Sequence, residues 1–593
     1  MRLRLIKLRF RRRFRKSQQQ VEDFSLHAEK QIERHFFKRF ERLTSVKRFV
    51  AGWLTLVVLL IAGLVVQNIL LSGYFQTLKP VPGGIYAEGL HGTFSTANPL
   101  YATNNVDTVV ARLVFAGLFT YDDKNNLVGD LAQSYTVEEK GATYTVKLKS
   151  NLKWQNGTPL TSADVQFTYQ TIQNPDARSP LQSSWQGIEV TAPDDQTVIF
   201  KLADPLASFP YNMTNGIVPK HLLKDVPVAD LRTIDFNTIN PIGAGPFAWQ
   251  TIQVTGDDPT NAEEQIDLVP FADYHGGKPK LQRFVVHAYA DLDKMTKDFK
   301  NKKLNGATDL EKALPELQNK AGVEIHNYIL SASTMVFFKT TAGILSDVKV
   351  RQALVSASDV PNIASKLGYP TRLVREPLLK GQLAYNNKYQ QAAFDLVAAQ
   401  TLLASDGWVK GEDGILRKGE QRLSFNLAVA DTPEYRAVTL ALQKQWKKLG
   451  AEVQLRYLNS ADFQNTLSGH TYDAILHGIS IGVDPDVFVY WDSSQADVRA
   501  ANRLNLSEYK NSTADAALEA GRTRTLPALR VIKYEPFLRV WQTDAPALGL
   551  YQPRMLYMTN GSVAGLDEHV INASTDRFNN VQNWQIRQAK VTN

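Results

Sequence analysis

An α/β body preceded by one N-terminal transmembrane helix is the fold class that this 593-residue sequence predicts. A long uncharged apolar run near the start gives the helix. Behind it, strand-like and helix-like patterns alternate to the end of the chain. The composition, 44% hydrophobic and 21% charged, is that of a globular protein, which excludes disordered, collagen-like and coiled-coil architectures. At roughly 150 residues per domain the length allows about four domains.

The chain carries a net charge of +8, but unevenly. Residues 1–48 hold 16 Lys and Arg against 5 Asp and Glu, leaving the remainder with 51 basic and 54 acidic residues. The basic character therefore belongs to a short arm, and nucleic-acid binding, which needs a basic face on the folded body, is excluded. With no cysteine there is no disulfide, thiolate metal site, cysteine nucleophile or thiol-linked lipid.

Within the arm, Val21, Phe24, Ala28, Ile32, Phe36, Phe40 and Leu43 recur at helical spacing, so residues 1–48 read as a basic arm with an amphipathic helix. Its charge suits an anionic inner leaflet, or simply fixes topology. The run from Phe49 to Leu71 is apolar but for Gln67, Asn68 and its small residues; about 20 such residues cross a hydrocarbon core of about 30 Å. We place the transmembrane helix at 49–73 and read it as uncleaved: a signal peptide has a far shorter charged region. Lys47, Arg48 and the arm put the N-terminus in the cytoplasm and about 510 residues outside, extracellular or periplasmic. Residues 74–84, ending Lys-Pro-Val-Pro-Gly-Gly, read as a short semi-rigid linker.

In the body, Tyr144, Val146 and Leu148 alternate with polar residues as in a half-exposed strand, and Thr197–Leu202 and Phe284–Tyr289 behave alike. A helix opens at Ser162 or Asp164, which cap its first turn, and others start near Asp347 and Phe394. A further helix from Glu434 stops at Gly450. There is no internal repeat.

Landmarks then accumulate in order: Asn98-Pro99-Leu100, Leu113–Leu118, Asp130–Tyr135, Leu152–Val165 (LKWQNGTPLTSADV), Pro219-Lys220-His221, Asn240–Phe247 and Gly277-Lys278-Pro279. Val350–Leu354 with Asp359, Gly407-Trp408, Tyr472-Asp473-Ala474, Asp484-Pro485-Asp486, and Arg530 with Tyr534, Asp544 and Pro546 complete them. Over about residues 85–560 the chain resembles the family 5 extracellular solute-binding proteins of ABC transporters, which bind dipeptides and oligopeptides. The resemblance implies a two-lobed periplasmic-binding-protein-like (class II) fold with an extra inserted domain, filling 85–593. Lobe one would take about 82–125, 240–335 and 545–593, the inserted domain 126–239, and lobe two 336–544. It also implies a peptide or peptide-like ligand held between the lobes by hinge closure, ABC permease subunits as partners, and no cofactor.

In peptide-binding members of the family an Asp shortly after a Gly-Trp holds the ligand's ammonium. Here the stretch reads Gly478-Ile479-Ser480-Ile481-Gly482-Val483-Asp484, and Ile479 stands where Trp is expected and Ile481 or Gly482 where Asp is. The resemblance then implies a longer, blocked or modified peptide, or another ligand. Asp484 is either the substitute anchor or a loop-shaping turn residue. The remaining implied ligand-binding residues are Tyr101, Thr103, Asn104 and Asn105 on lobe one, Gly478 to Ile481, and Tyr490 and Trp491 as pocket walls. No catalytic or metal-ligating set is expected: G-x-S-x-G, H-E-x-x-H and G-x-x-x-x-G-K-[ST] are all absent. Asp567-Glu568-His569 reads as a solvated loop, and Glu138-Glu139 and Glu263-Glu264 as exposed turns. A sensory or scaffolding ectodomain signalling through the arm is the alternative function.

Overall fold

The computed structural model describes residues 47–592 apart from 139, 257–261, 309, 311–313, 319, 501 and 502. The amphipathic helix expected in the arm lies outside the described residues. The chain divides into two units, residues 1–79 with 588–593, and residues 80–587.

In the first unit, helix Lys47–Phe75 contains the stretch Phe49–Asn68, long and apolar enough to cross a membrane and unburied throughout. It is two residues longer at each end than the expected 49–73. Half of the expected linker is strand: Gln76–Val81 pairs with the last strand, Arg587–Thr592.

The second unit is built on two large mixed sheets. In the first, the strand order is Val323–Ile329, Arg554–Asn560, Gly306–Ala307, Ile85–His91, Arg283–Tyr289, Glu263–Pro270 and Phe247–Thr255. In the second it is Glu452–Leu458, Ser424–Ala430, Ala474–Ser480, Ala332–Phe338 and Ala547–Tyr551. An antiparallel four-stranded sheet (Ala132–Val137, Thr143–Leu148, Thr197–Lys201, Glu189–Asp194) forms the inserted domain.

Two crossings join the large sheets. Only Leu330 and Ser331 separate Val323–Ile329 from Ala332–Phe338, and only Gln552 and Pro553 separate Ala547–Tyr551 from Arg554–Asn560. The Leu330 N–H donates to the Pro553 carbonyl at 2.9 Å, and the Gln552 amide donates to the Leu330 carbonyl at 2.9 Å, so the crossings are tied together. Beyond the crossings, Val336 pairs with Leu548 inside the second sheet.

Local sequence explains the elements that carry the landmarks. Of the expected capping residues Ser162 and Asp164, Asp164 takes part: it accepts the Thr161 N–H at 2.9 Å in a capping box, with Thr161 at the cap of helix Ser162–Gln173. Helix Pro433–Leu449 is capped by Thr432 and stops at Gly450, whose φ of 104° favours glycine. Glu263 and Glu264 are not in a turn: they open a strand, where Glu263 pairs with Lys294 at 2.9 Å and Glu264 accepts the Phe94 N–H.

The Asn240–Phe247 landmark packs against the end of helix Asn105–Val114. Gln155 bonds both the N–H and the carbonyl of Gly243, and a Cβ on Gly243 would lie 1.9 Å from the Val114 carbonyl oxygen. Because the obstacle is backbone, Gly243→Ala is expected to cost about 1–3 kcal/mol in denaturant unfolding, whereas Gly157→Ala, with open space around it, measures only the strain of its φ of 85°.

Candidate functional site

A cavity of about 370 Å³ lies between the inserted domain and lobe two. Tyr135, Val137, Tyr144, Ala207, Pro210 and Tyr211 line it from the inserted domain. Lobe two contributes Gly381–Leu383, Val483–Pro485, Thr525, Pro527 and Arg530.

The lobe-two wall is fixed by a buried ion pair. Arg530 reaches from helix Pro527–Asp544 and donates from Nη1 and Nη2 to the two carboxylate oxygens of Asp484, at 2.7 and 2.6 Å. Its Nε donates to the Gly521 carbonyl at 3.0 Å. Asp484 Oδ1 also accepts the Asp486 N–H at 3.0 Å. Burial opposes the Arg530 charge, but Asp484 outweighs it and raises its pKa. The Gln382 amide donates to the Gly482 carbonyl at 2.9 Å and thereby joins the two lobe-two loops.

The opposite wall is aromatic. The Tyr135 and Tyr144 ring centroids are 6.2 Å apart, and the Tyr144 hydroxyl donates to the Leu206 carbonyl at 2.8 Å. Burial, with Asp484 second, pushes the Tyr211 phenol up to about 12. The two domains are bridged beside the cavity: Ser208 Oγ donates to Asp486 Oδ2 at 2.9 Å, and the Ala207 N–H to the Arg522 carbonyl at 2.8 Å. Arg522 also pairs with Asp486 at 3.3 Å and lies over the Phe488 ring.

Only part of the expected site reaches this cavity. Asp484 lines it, as a carboxylate already neutralised by Arg530 and fixed by an Asp-turn bond. Ile479 and Ile481 do not line this cavity and are buried in the lobe-two core with Met335 and Phe337. Trp491 does not line it either: it is fully buried, stacked 5.8 Å from Phe337 and edge-on to Trp541. Tyr490 is half-buried, and its hydroxyl donates to the carbonyl of the exposed Ser480 at 2.5 Å. Gly478 sits mid-strand opposite Thr334, where a Cβ would meet the Tyr435 hydroxyl at 3.4 Å.

On lobe one the Asn-rich loop largely satisfies itself. Asn104 caps helix Asn105–Val114 through the Asp107 N–H at 2.8 Å and donates back to the Asp107 carboxylate at 2.8 Å. Asn105 accepts from Ser574 at 3.2 Å, Tyr101 is buried beneath the Arg232 guanidinium, and Thr103 is exposed. Tyr135, Tyr144, Tyr211 and Gln382 went unforeseen as lining residues. The one signal was Tyr135, which stands where the landmark Asp130–Tyr135 normally ends in Trp.

The arrangement suits binding. No lining residue is a nucleophile paired with a base, and among the described residues no group of three or more His, Asp or Glu is placed to hold a metal ion. Two lobes joined by paired crossings, with a cavity against the inserted domain, define a two-lobed solute-binding architecture.

The chain belongs to the bacterial extracellular solute-binding proteins, family 5, whose model matches residues 126–500. It is 27% identical over 489 residues to the oligopeptide-binding protein AppA of Bacillus subtilis, covering 80% of this chain and 87% of that one. The structure of Bacillus subtilis AppA in complex with a nonapeptide superposes with a TM-score of 0.66 at 25% identity, covering 86% of this chain and all of that one. The ABC transporter substrate-binding protein CtaP of Listeria monocytogenes shares the fold, with a TM-score of 0.72 at 23% identity over 85% of this chain and 99% of the other. The family is one of binding proteins, not enzymes.

Proposed function

We propose that this protein captures peptides or peptide-like ligands outside the cell and delivers them to the permease of an ABC transporter. Closure of the two lobes about Leu330-Ser331 and Gln552-Pro553 buries the ligand, and the helix within Lys47–Phe75 tethers the receptor with its N-terminus in the cytoplasm. The carrying observation is the bridged cavity, where Ser208 and Ala207 of the inserted domain bond Asp486 and Arg522 of lobe two. Bridges across a ligand cavity are what a closed clamshell requires. The nonapeptide in the AppA structure supports the ligand class. Tethering keeps the receptor near its permease and raises its effective concentration there.

The test is thermal unfolding of the full-length chain in detergent micelles with and without mixed peptides of five to nine residues. A ligand at a hundred times its Kd adds about 2.7 kcal/mol of stability, so a rise in Tm is expected. No rise with any peptide mixture, alongside a clear rise with sugars or metal chelates, rejects the ligand class.

A further inference from the structure

Of the residues lining the cavity, the two that carry charge are Asp484 and Arg530, and each is already used by the other. An entering ammonium would find both Asp484 oxygens engaged, Oδ1 by the Asp486 N–H as well. An entering carboxylate would find Arg530 with Nη1 and Nη2 on Asp484 and Nε on Gly521. A charge placed here would lose its water and meet a pair whose charges already cancel each other.

The other surfaces suit a different guest. Tyr135, Tyr144 and Tyr211 line the cavity with aromatic side chains, and Pro210, Pro485 and Pro527 add apolar surface. At about 370 Å³ the space is at the small end of ligand pockets, enough for one residue of a ligand and some water.

We propose that this chamber receives an uncharged planar group of the ligand, an aromatic ring or an amide, and discriminates against a charged one. The proposal rests on the peptide reading above and gives that reading a specificity. An aromatic ring stacks on the tyrosines, and an amide bonds their hydroxyls without disturbing the Asp484–Arg530 pair.

The test uses alanine pentapeptides carrying one Phe, Gln, Lys or Glu at each position in turn, titrated calorimetrically into the full-length chain in detergent micelles. At one position, Phe and Gln are expected to bind about tenfold or more tighter than Lys and Glu. Lys or Glu peptides that match Phe and Gln at every position overturn the specificity and leave the peptide function standing. Binding by none of the pentapeptides overturns both. Asp484→Asn frees Arg530, and at that same position the Glu peptide is then expected to gain about tenfold over the Phe peptide; an unchanged ranking counts against the proposal. Should that variant not fold, Tyr211→Leu is expected to cut the Phe preference at that position alone, and an equal loss at all positions contradicts it.

Discussion

Replacing Arg577 with alanine is expected to destabilise the body by about 3–5 kcal/mol, the usual consequence of stripping one partner from a buried ion pair. Arg577 and Glu88 are both fully buried and lie 2.7 Å apart. Glu88 belongs to the central strand Ile85–His91, whereas Arg577 comes from the turn Ser574–Phe578 near the end of the chain, so the pair closes lobe one across almost its whole sequence. The remaining Glu88 oxygen accepts the Tyr557 hydroxyl, which in turn meets the Tyr86 hydroxyl at 2.5 Å. Gly306 leaves room for this cluster, since a Cβ there would lie 2.3–2.6 Å from all three side chains. Without Arg577 a fully buried carboxylate loses the guanidinium that compensates its charge. The companion double variant, Glu88→Leu with Arg577→Met, removes both charges and is expected to recover most of the loss. Urea unfolding of parent, single and double variants measures this; a double variant as unstable as the single one contradicts it.

The same contrast between local and distant information decides what the sequence makes legible. Gly450 and Pro433 mark a helix because caps are local chemistry, and LKWQNGTPLTSADV is readable because its turn and capping residues act within one another's reach. The cavity is different. Tyr135 and Tyr144, Ala207 to Tyr211, Gly381 to Leu383, Asp484 and Arg530 come from distant segments, and periodicity says which residues share a face but not which faces meet. Asp484 looks like a spare carboxylate until its partner, 46 residues further on, is known. Ile479 lies on the strand Ala474–Ser480, and alternation along a strand cannot say which side is core when both sides are apolar. In the second sheet both are, with one hydrophobic cluster containing Val336 and Phe338 and another containing Met335 and Phe337.

A second large effect is expected at Glu376, which lies in the same lobe-two segment as the cavity residue Gln382. Its side chain is completely buried, one oxygen accepts the Asn386 N–H at 3.3 Å, and the other has no partner among the described residues. Burial pushes its pKa up to about 7, so the folded protein holds this proton more tightly than the unfolded chain does. Between about pH 4.5 and 7 the native state therefore binds more protons at this site, and its contribution to stability falls as pH rises. Over that window the loss amounts to about 3 kcal/mol, and it is complete above pH 7. Glu376→Gln keeps the shape and removes the titration, so it is expected to match the parent near pH 4.5 and exceed it by about that amount at pH 8. Urea unfolding at the two pH values isolates this group from every other carboxylate, because only the difference between parent and variant is read; an equal difference at both contradicts the assignment. The consequence reaches the cavity, since Gln382 accepts the Leu379 N–H at 2.6 Å and bonds the Gly482 carbonyl from the same segment. Ionising Glu376 loosens the loop that forms one cavity wall, so peptide affinity is expected to weaken from pH 6 to pH 8 in the parent and to stay level in Glu376→Gln.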